Sequence, residues 1–323
     1  LDLRRRINAF LALGKSLEVL PQEEKDELFE KANYYNPWFT NSNLNLAWNG
    51  LLCYLHEEKL RTWVSNYDLT NPRSKRVGVV MAGNIPMVGI HDFICVLLSG
   101  HVLVAKLSSQ DEVLIRFVAK KLIEVEPEYQ DRIFFVDQLK DIDAVIATGS
   151  DNTARYFEYY FSKYPHIIRK NRTSVAVLTG DETDAELVAL GDDIFTYFGM
   201  GCRNVSKIFL PEGQPIEELF NHWTGYNYLA DHHKYANNYY YQRSIKLMNQ
   251  QKYHDNGFAL FLESERLVSP LAVVYYSYYS SIEELKIQLA SINDKIQCIV
   301  CKNGLLDVTN KFGTAQTPDV MDY

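Results

Sequence analysis

No uncharged run in this sequence approaches the roughly 20 residues that a membrane-spanning helix needs, and no basic-then-apolar leader opens it. The cytoplasm is therefore the expected compartment, with no membrane span. Positive charge is in deficit: 33 Lys and Arg against 41 Asp and Glu leave a net charge of -8. That balance argues against nucleic acid as a partner, because a phosphate footprint needs clustered Lys and Arg that outnumber nearby acids. The basic Arg4-Arg5-Arg6 run is too short to reverse it. Cysteine is scarce as well, and the five present (Cys53, Cys95, Cys202, Cys298 and Cys301) form an odd set without paired spacing. A reducing compartment fits better than a disulfide framework. Cys298-Ile-Val-Cys301 does spell C-x-x-C, yet it lies in an apolar run that reads as a buried strand, where the two thiols point to opposite faces. No redox or metal site is assigned there, and the chain has neither an internal repeat nor a low-complexity linker.

What is present is a large apolar inventory, 47% of 323 residues, enough for a sizeable core and about two domains. Residues 1 to 70 read as accessory helices, with Pro21-Gln-Glu-Glu opening one charged amphipathic segment and Asn43 to Glu58 forming another. Trp38, Trp48 and Trp63 are expected to pack among them. From Val77 the pattern changes. Short β-branched runs at Val77 to Met81, Val102 to Lys106, Arg132 to Val136 and Ala144 to Thr148 alternate with helix-like segments. Ser109-Gln-Asp-Glu112 is read as a capping box opening one of those helices. Strands alternating with helices imply a parallel sheet covered on both faces. Ligands then lie beyond the carboxyl ends of the strands, where Gly83-Asn84, Lys106 and Gly149-Ser150 fall. A second series begins near Ser174 to Leu178, passes through the capping box Thr183-Asp-Ala-Glu186, and reaches the strand Ser206 to Leu210; later strands are expected at Phe258 to Leu262, Ala272 to Tyr276 and Ile296 to Cys301. The expected domains are residues 1–172, helices plus a nucleotide-binding Rossmann-like domain, and residues 173–302, with residues 303–323 returning to the first.

Just before that Ser206 strand stands Phe198-Gly199-Met200-Gly201-Cys202-Arg203-Asn204. Gly199 and Gly201, both just ahead of the thiol, leave room for a reacting carbonyl. Cysteine is only a few per cent thiolate at neutral pH, and Arg203 with nearby backbone N–H groups is the visible means of favouring the charged form. Residues 215 to 258 hold a dense set of His222, Tyr226, Tyr228, His232, His233, Tyr235, Tyr239, Tyr240, Tyr241 and His254. The adjacent histidines are not assigned to zinc, since neighbouring residues diverge on a helix and no third ligand keeps the usual spacing. Packing at an interface or contact with substrate fits that composition better.

In this order, the motifs Ala82-Gly-Asn-Ile-Pro86, Ala147-Thr-Gly-Ser150, Phe198-Gly-Met-Gly-Cys-Arg-Asn-Val-Ser-Lys207, His232-His-Lys-Tyr-Ala-Asn-Asn238 and Asp255-Asn-Gly257 carry a resemblance. From about Val77 to Tyr323 the chain resembles the aldehyde dehydrogenase superfamily, and more closely the LuxC-type acyl-CoA reductases. The resemblance implies two doubly wound α/β domains behind an N-terminal helical segment. It puts Cys202 on the nucleophile and Asn84 on the side-chain donor that completes an oxyanion hole with the cysteine's own N–H. An Asn on a Gly-Asn-Ile-Pro turn is chemically suited to that task. Lys106 matches the lysine at the adenosine ribose or its 2′-phosphate, and Gly83, Gly149 and Ser150 fall with the nucleotide-binding turns. The acid that touches the nicotinamide ribose matches Glu265, one place early in Glu265-Arg-Leu-Val-Ser-Pro270.

One departure is informative. Aldehyde-oxidising members carry a Glu-Leu-Gly-Gly base ahead of the strand that here is Ser174 to Leu178, whereas this chain reads Ile167-Ile-Arg-Lys-Asn-Arg172. Without a base to activate water, a Cys202 acyl-enzyme is expected to be reduced rather than hydrolysed. The implied activity is reduction of an acyl-CoA or an acyl-carrier-protein thioester to an aldehyde, with NADPH as donor and NADH as the alternative. No metal is implied. A homo-oligomer and acyl-activating or acyl-transferring enzymes are the expected partners, and a catalytically idle, partner-binding subunit of a fatty-acid-processing complex is the alternative reading. The chain opens on Leu1 rather than Met and stops at Tyr323, so end segments of the natural protein are expected outside it.

Overall fold

The structure, a computed structural model, describes every residue except Asn71, Ser150, Asn303, Asp307, Val308 and Tyr323, and Asp151 without its side chain. The chain divides into two compact units, Leu1–Asn171 with Pro318–Tyr323, and Arg172–Thr317.

The first unit opens with four helices, α1 (Leu3–Glu18), α2 (Gln22–Tyr35), α3 (Asn41–Tyr54) and α4 (Glu57–Ser65). Two have side-chain caps: Asp2 accepts from the Arg5 amide at 2.8 Å and Thr40 from the Asn43 amide at 3.4 Å, each satisfying an amide left over at a helix start. Their apolar stripes meet in one core in which Phe10, Leu13, Leu44 and Leu60 are fully buried. Trp48 and Trp63 are buried there too, and Trp48 meets Phe29 edge-on at 5.8 Å. There follow β1 (Arg76–Val80), α5 (Ile90–Leu98), β2 (Val102–Lys106), α6 (Glu112–Val125), β3 (Ile133–Phe135), β4 (Ala144–Thr148), α7 (Asp151–Phe161) and β5 (His166–Arg169). The sheet is parallel, in the order β3-β2-β1-β4-β5. Strand β5 was not legible in the sequence; it is a short edge strand with Ile167 exposed. The capping box read at Ser109 is not formed. Helix α6 starts at Glu112 behind Asp111, whose side chain makes no capping bond.

The second unit contains β6 (Thr173–Val177), α8 (Asp184–Phe195), β7 (Val205–Pro211), α9 (His233–Met248), β8 (His254–Asp255), β9 (Leu260–Glu263), β10 (Val273–Tyr279), α10 (Ile282–Ser291) and β11 (Ile296–Val300). Its sheet runs β11-β6-β7-β10-β9-β8, parallel except for β8, which pairs antiparallel with β9. The Thr183–Glu186 capping box is present, with both reciprocal bonds. A 3-10 stretch, Ile216–Asp231, then covers α8. There the Trp223 indole N–H donates to the Leu187 carbonyl at 2.9 Å, and a Cβ on Gly191 would come within 2.4 Å of the Tyr226 ring. Only glycine lets the two segments approach that closely. Among the described residues no helix is long and apolar enough to cross a membrane. Each unit is thus an α/β layer built on a mainly parallel sheet, the first of them behind N-terminal helices.

Candidate active site

The chain between α8 and β7 turns on three successive residues with left-handed backbone: Tyr197 (φ 52°), Phe198 (φ 59°) and Gly199 (φ 75°). For the two buried aromatics that conformation costs on the order of 1 kcal/mol or more each, so the surroundings must enforce it. Asn204 does much of this. Its side-chain NH2 donates to the carbonyls of Asp193 (3.2 Å), Ile194 (3.2 Å) and Thr196 (2.8 Å), and its Oδ1 accepts from the Gly201 amide at 2.8 Å. Carbonyls at a helix end otherwise lack partners; here one buried amide gathers them. Cys202, half-buried, sits inside this frame. Its carbonyl accepts from Ser174 Oγ on β6 at 3.0 Å, and the same hydroxyl lies 2.9 Å from Cys298 Sγ. The backbone of the cysteine is thus pinned from both sides.

Arg203, read from the sequence as support for a thiolate, is buried, and its Nε donates to the Ala315 carbonyl at 2.6 Å. It holds a later segment of chain in place. Asp193 grips the same segment, accepting from the Gly313 and Ala315 amides at 2.6 and 2.8 Å. Burial pushes the Asp193 carboxyl up to about 7, against the lowering effect of those two amides.

In the first unit, the strand order reverses at β1, with β2 on one side and β4 on the other. Such a switch point opens a crevice at the carboxyl ends of the strands. Register puts Val80 beside Lys106 and beside Ala147, so the turns after β1, β2 and β4 share that edge. Gly83 and exposed Asn84 follow β1, exposed Lys106 ends β2, and Gly149 follows β4. Ser150 lies outside the described residues. A Cβ on Gly83 would stand 2.5 Å from Ser108 Oγ, and one on Gly149 about 3.0 Å from Phe157 of α7, so both glycines mark close approaches. Sequence reasoning missed Asp111. Instead of capping α6, its Oδ2 accepts from the Met87 amide at 2.6 Å and so fastens the turn that carries Asn84. Met87 itself has φ 55°. Burial raises the Asp111 carboxyl well above the usual range.

In the Ile167-to-Arg172 stretch, where the sequence reading looked for a water-activating base, Ile167 and Arg169 lie on β5, and the Arg169 guanidinium makes two bonds to Asp92, 2.8 and 2.7 Å long. Glu265 is exposed in the second unit, two residues beyond β9. The aromatic set is distributed. His232 packs 4.4 Å from the Phe198 ring and caps α9 by accepting from the Tyr235 amide at 3.4 Å. Tyr239 donates to both oxygens of Asp255 at 2.7 and 2.9 Å, and His254 pairs with Glu217 at 2.6 Å. Among the described residues no group of three His, Cys, Asp or Glu is disposed to hold a metal ion.

Known structures share this architecture. A Mycobacterium tuberculosis aldehyde dehydrogenase complexed with NAD+ matches at 14% identity and a TM-score of 0.67, covering 94% of this chain and 74% of its own. An aldehyde dehydrogenase C mutant from Pseudomonas syringae, complexed with NAD+ and octanal, matches at 12% identity and 0.67, covering 94% and 73%. An NAD-dependent benzaldehyde dehydrogenase from Corynebacterium glutamicum gives 12% and 0.66, covering 94% and 77%. At such identities the likeness is one of fold. No curated protein sequence matches the chain. The family model for acyl-CoA reductase (LuxC), however, matches residues 54–226, more than half of the chain and including the cysteine loop, and the chain belongs to that LuxC acyl-CoA reductase family.

Proposed function

We propose that this chain reduces an acyl thioester, acyl-CoA or acyl-carrier protein, to the aldehyde through a Cys202 acyl-enzyme. The observation that carries the reading is the cysteine loop itself: a half-buried thiol in a backbone held by Asn204 and Ser174, inside the stretch matched by the family. In this reading the Cys202 thiolate attacks the thioester carbonyl, and the Cys202 amide and the Asn84 side chain donate to the oxyanion. Collapse expels the pantetheine thiolate and leaves a thioester on Cys202. A nicotinamide dinucleotide supplies hydride to that carbonyl, and the resulting thiohemiacetal on Cys202 breaks down to aldehyde and thiolate. Run in reverse, the same steps acylate CoA with an aldehyde.

The first unit's residues fit a dinucleotide. Gly83 and Gly149 stand where a side chain would collide with Ser108 and with Phe157, so the turns after β1 and β4 pack closely against the first unit. Lys106 is an exposed cation at the crevice edge, and its charge favours a 2′-phosphate, hence NADPH over NADH. Glu265 is assigned to the nicotinamide ribose. The side-chain ion pair of Arg169 with Asp92, in place of a water-activating base, supports a transfer that protects the acyl-enzyme from hydrolysis.

The test follows oxidation of NADPH and NADH with a panel of acyl-CoAs, alongside intact mass of the protein. Wild type is expected to consume nucleotide only with a thioester present and to gain the acyl mass when nucleotide is withheld, while Cys202→Ala does neither. Wild type that remains unacylated by every thioester overturns the proposal and leaves the idle, partner-binding subunit.

A further inference from the structure

Lys207, on the strand that leaves the cysteine loop, is 1% exposed. A buried ammonium is costly, and an apolar side chain of the same length would fill the space at less expense, so its partners explain its presence. Its Nζ donates to the main-chain carbonyl of Ser264 and lies 5.2 Å over the Phe209 ring. Burial lowers its pKa to about 8, opposed by the charges of Glu265 and Glu263, so both carboxylates are within electrostatic reach.

The residue before it acts on the other end of the same turn. Ser206 Oγ donates to the Leu267 carbonyl at 2.7 Å and is itself 2.7 Å from Thr173 Oγ on β6. Between these two attachments the turn is braced internally, with the Arg266 amide donating to Ser264 Oγ at 3.2 Å. Its start is tied to β10 by the Ser264 amide, which donates to the Tyr276 carbonyl at 2.9 Å. Glu265 is the exposed acid in the middle.

We infer that Lys207, with Ser206, is a positioning residue for the reduction half of the reaction: the pair clamps the Ser264–Leu267 turn to the strand that emerges from the cysteine loop and so presents Glu265 to the dinucleotide ribose. The inference rests on the function proposed above for its reaction, and on the clamp geometry for its residues. Cys202 and Glu265 are then held on one strand's frame, so thiol and ribose contact keep a fixed spacing within the second unit. Lys207 touches neither substrate nor nucleotide. Its effect passes through the turn.

The experiment separates the half-reactions in the full chain, using Lys207→Met, Lys207→Arg, Ser206→Ala and Glu265→Gln. Acylation of Cys202 by acyl-CoA without nucleotide, read by intact mass, is expected to stay near the wild-type rate in the Lys207 and Ser206 variants. The KM for NADPH is expected to rise about tenfold in Lys207→Met, the scale of a lost charge-assisted hydrogen bond, less in Ser206→Ala, and to recover in Lys207→Arg. Lys207→Met added to Glu265→Gln should do no further harm, because both act through one contact. Slowed acylation in both Lys207→Met and Ser206→Ala, an unchanged KM, or multiplying effects in the double variant would overturn the inference. If wild type is never acylated, the proposed reaction fails instead, and NADPH affinity by calorimetry across the same variants decides the clamp by the same criteria.

Discussion

Asn204 commits both ends of its side chain to the backbone around Cys202, and that makes the sign of a substitution predictable. Asn204→Asp replaces the NH2 that serves three carbonyls with an oxygen, placing acceptor against acceptor in a buried site. It is expected to destabilise by about 2–4 kcal/mol, more than Asn204→Ala, because a repelled buried charge is worse than a missing bond. Urea midpoints of the two variants check the order. Asp193 gives a pH-dependent counterpart. Its folded pKa, about 7, is above the ordinary carboxyl value of 3.8. Its contribution to stability is therefore full below about pH 4 and lost as pH rises through about 7. Asp193→Asn should flatten this part of the stability profile between pH 5 and 8; an unchanged slope would show that another group titrates there. For the chemistry, Asn84→Ala is expected to lower kcat by about 10²–10³ while Cys202 remains present and reactive toward iodoacetamide, as loss of a single oxyanion donor does elsewhere.

Among the elements, the Asn84 turn and helix α6 form one mechanical piece, because Asp111 leaves its own helix start uncapped to hold the Met87 amide. Asp111→Ala should therefore cost about 1–3 kcal/mol, and it should lower kcat, a loss that a simple cap deletion on α6 would not produce. This link was not legible in the sequence. Ser109-Gln-Asp-Glu112 has the spelling of a capping box, but local spelling cannot show that a distant amide competes for the carboxyl. Most strands and helices were legible, since β-branched runs and helical spacing are local signals: Val102–Lys106 and Ala144–Thr148 are strands over the same residues in which they were read. Helix α9 was obscured for a physical reason. Its buried positions are few, Tyr235, Tyr239 and Lys246, on a helix otherwise covered with exposed Tyr and polar groups, so no apolar stripe announces it. The cysteine loop was legible as a thiol preceded by Gly199 and Gly201, while the left-handed turn at Tyr197 and Phe198 was not, because those residue types ordinarily avoid that conformation.

For the molecule as a whole, a nucleotide that binds only the folded chain adds stability by mass action, about 2.7 kcal/mol at a hundredfold excess over Kd. Thermal unfolding with NADPH and with NADH at equal concentration should therefore rank the two cofactors without any turnover; equal shifts would remove Lys106 as a selector of the 2′-phosphate. The alternation of strands and helices made the α/β class legible at this scale, whereas the return of the chain was carried by single contacts. His91 Nε2 meets the Val320 carbonyl at 3.1 Å and Lys59 pairs with Asp319 at 2.8 Å, both linking Pro318–Tyr323 to the first unit.

That return has a consequence for biosynthesis. The segment that seals the first unit lies beyond the whole of Arg172–Thr317 in the chain. At about 5–20 residues per second, the helices and sheet of the first unit wait roughly seven to thirty seconds on the ribosome for these contacts. During that interval His91 and Lys59 are without the Val320 carbonyl and the Asp319 carboxylate that they meet in the folded chain.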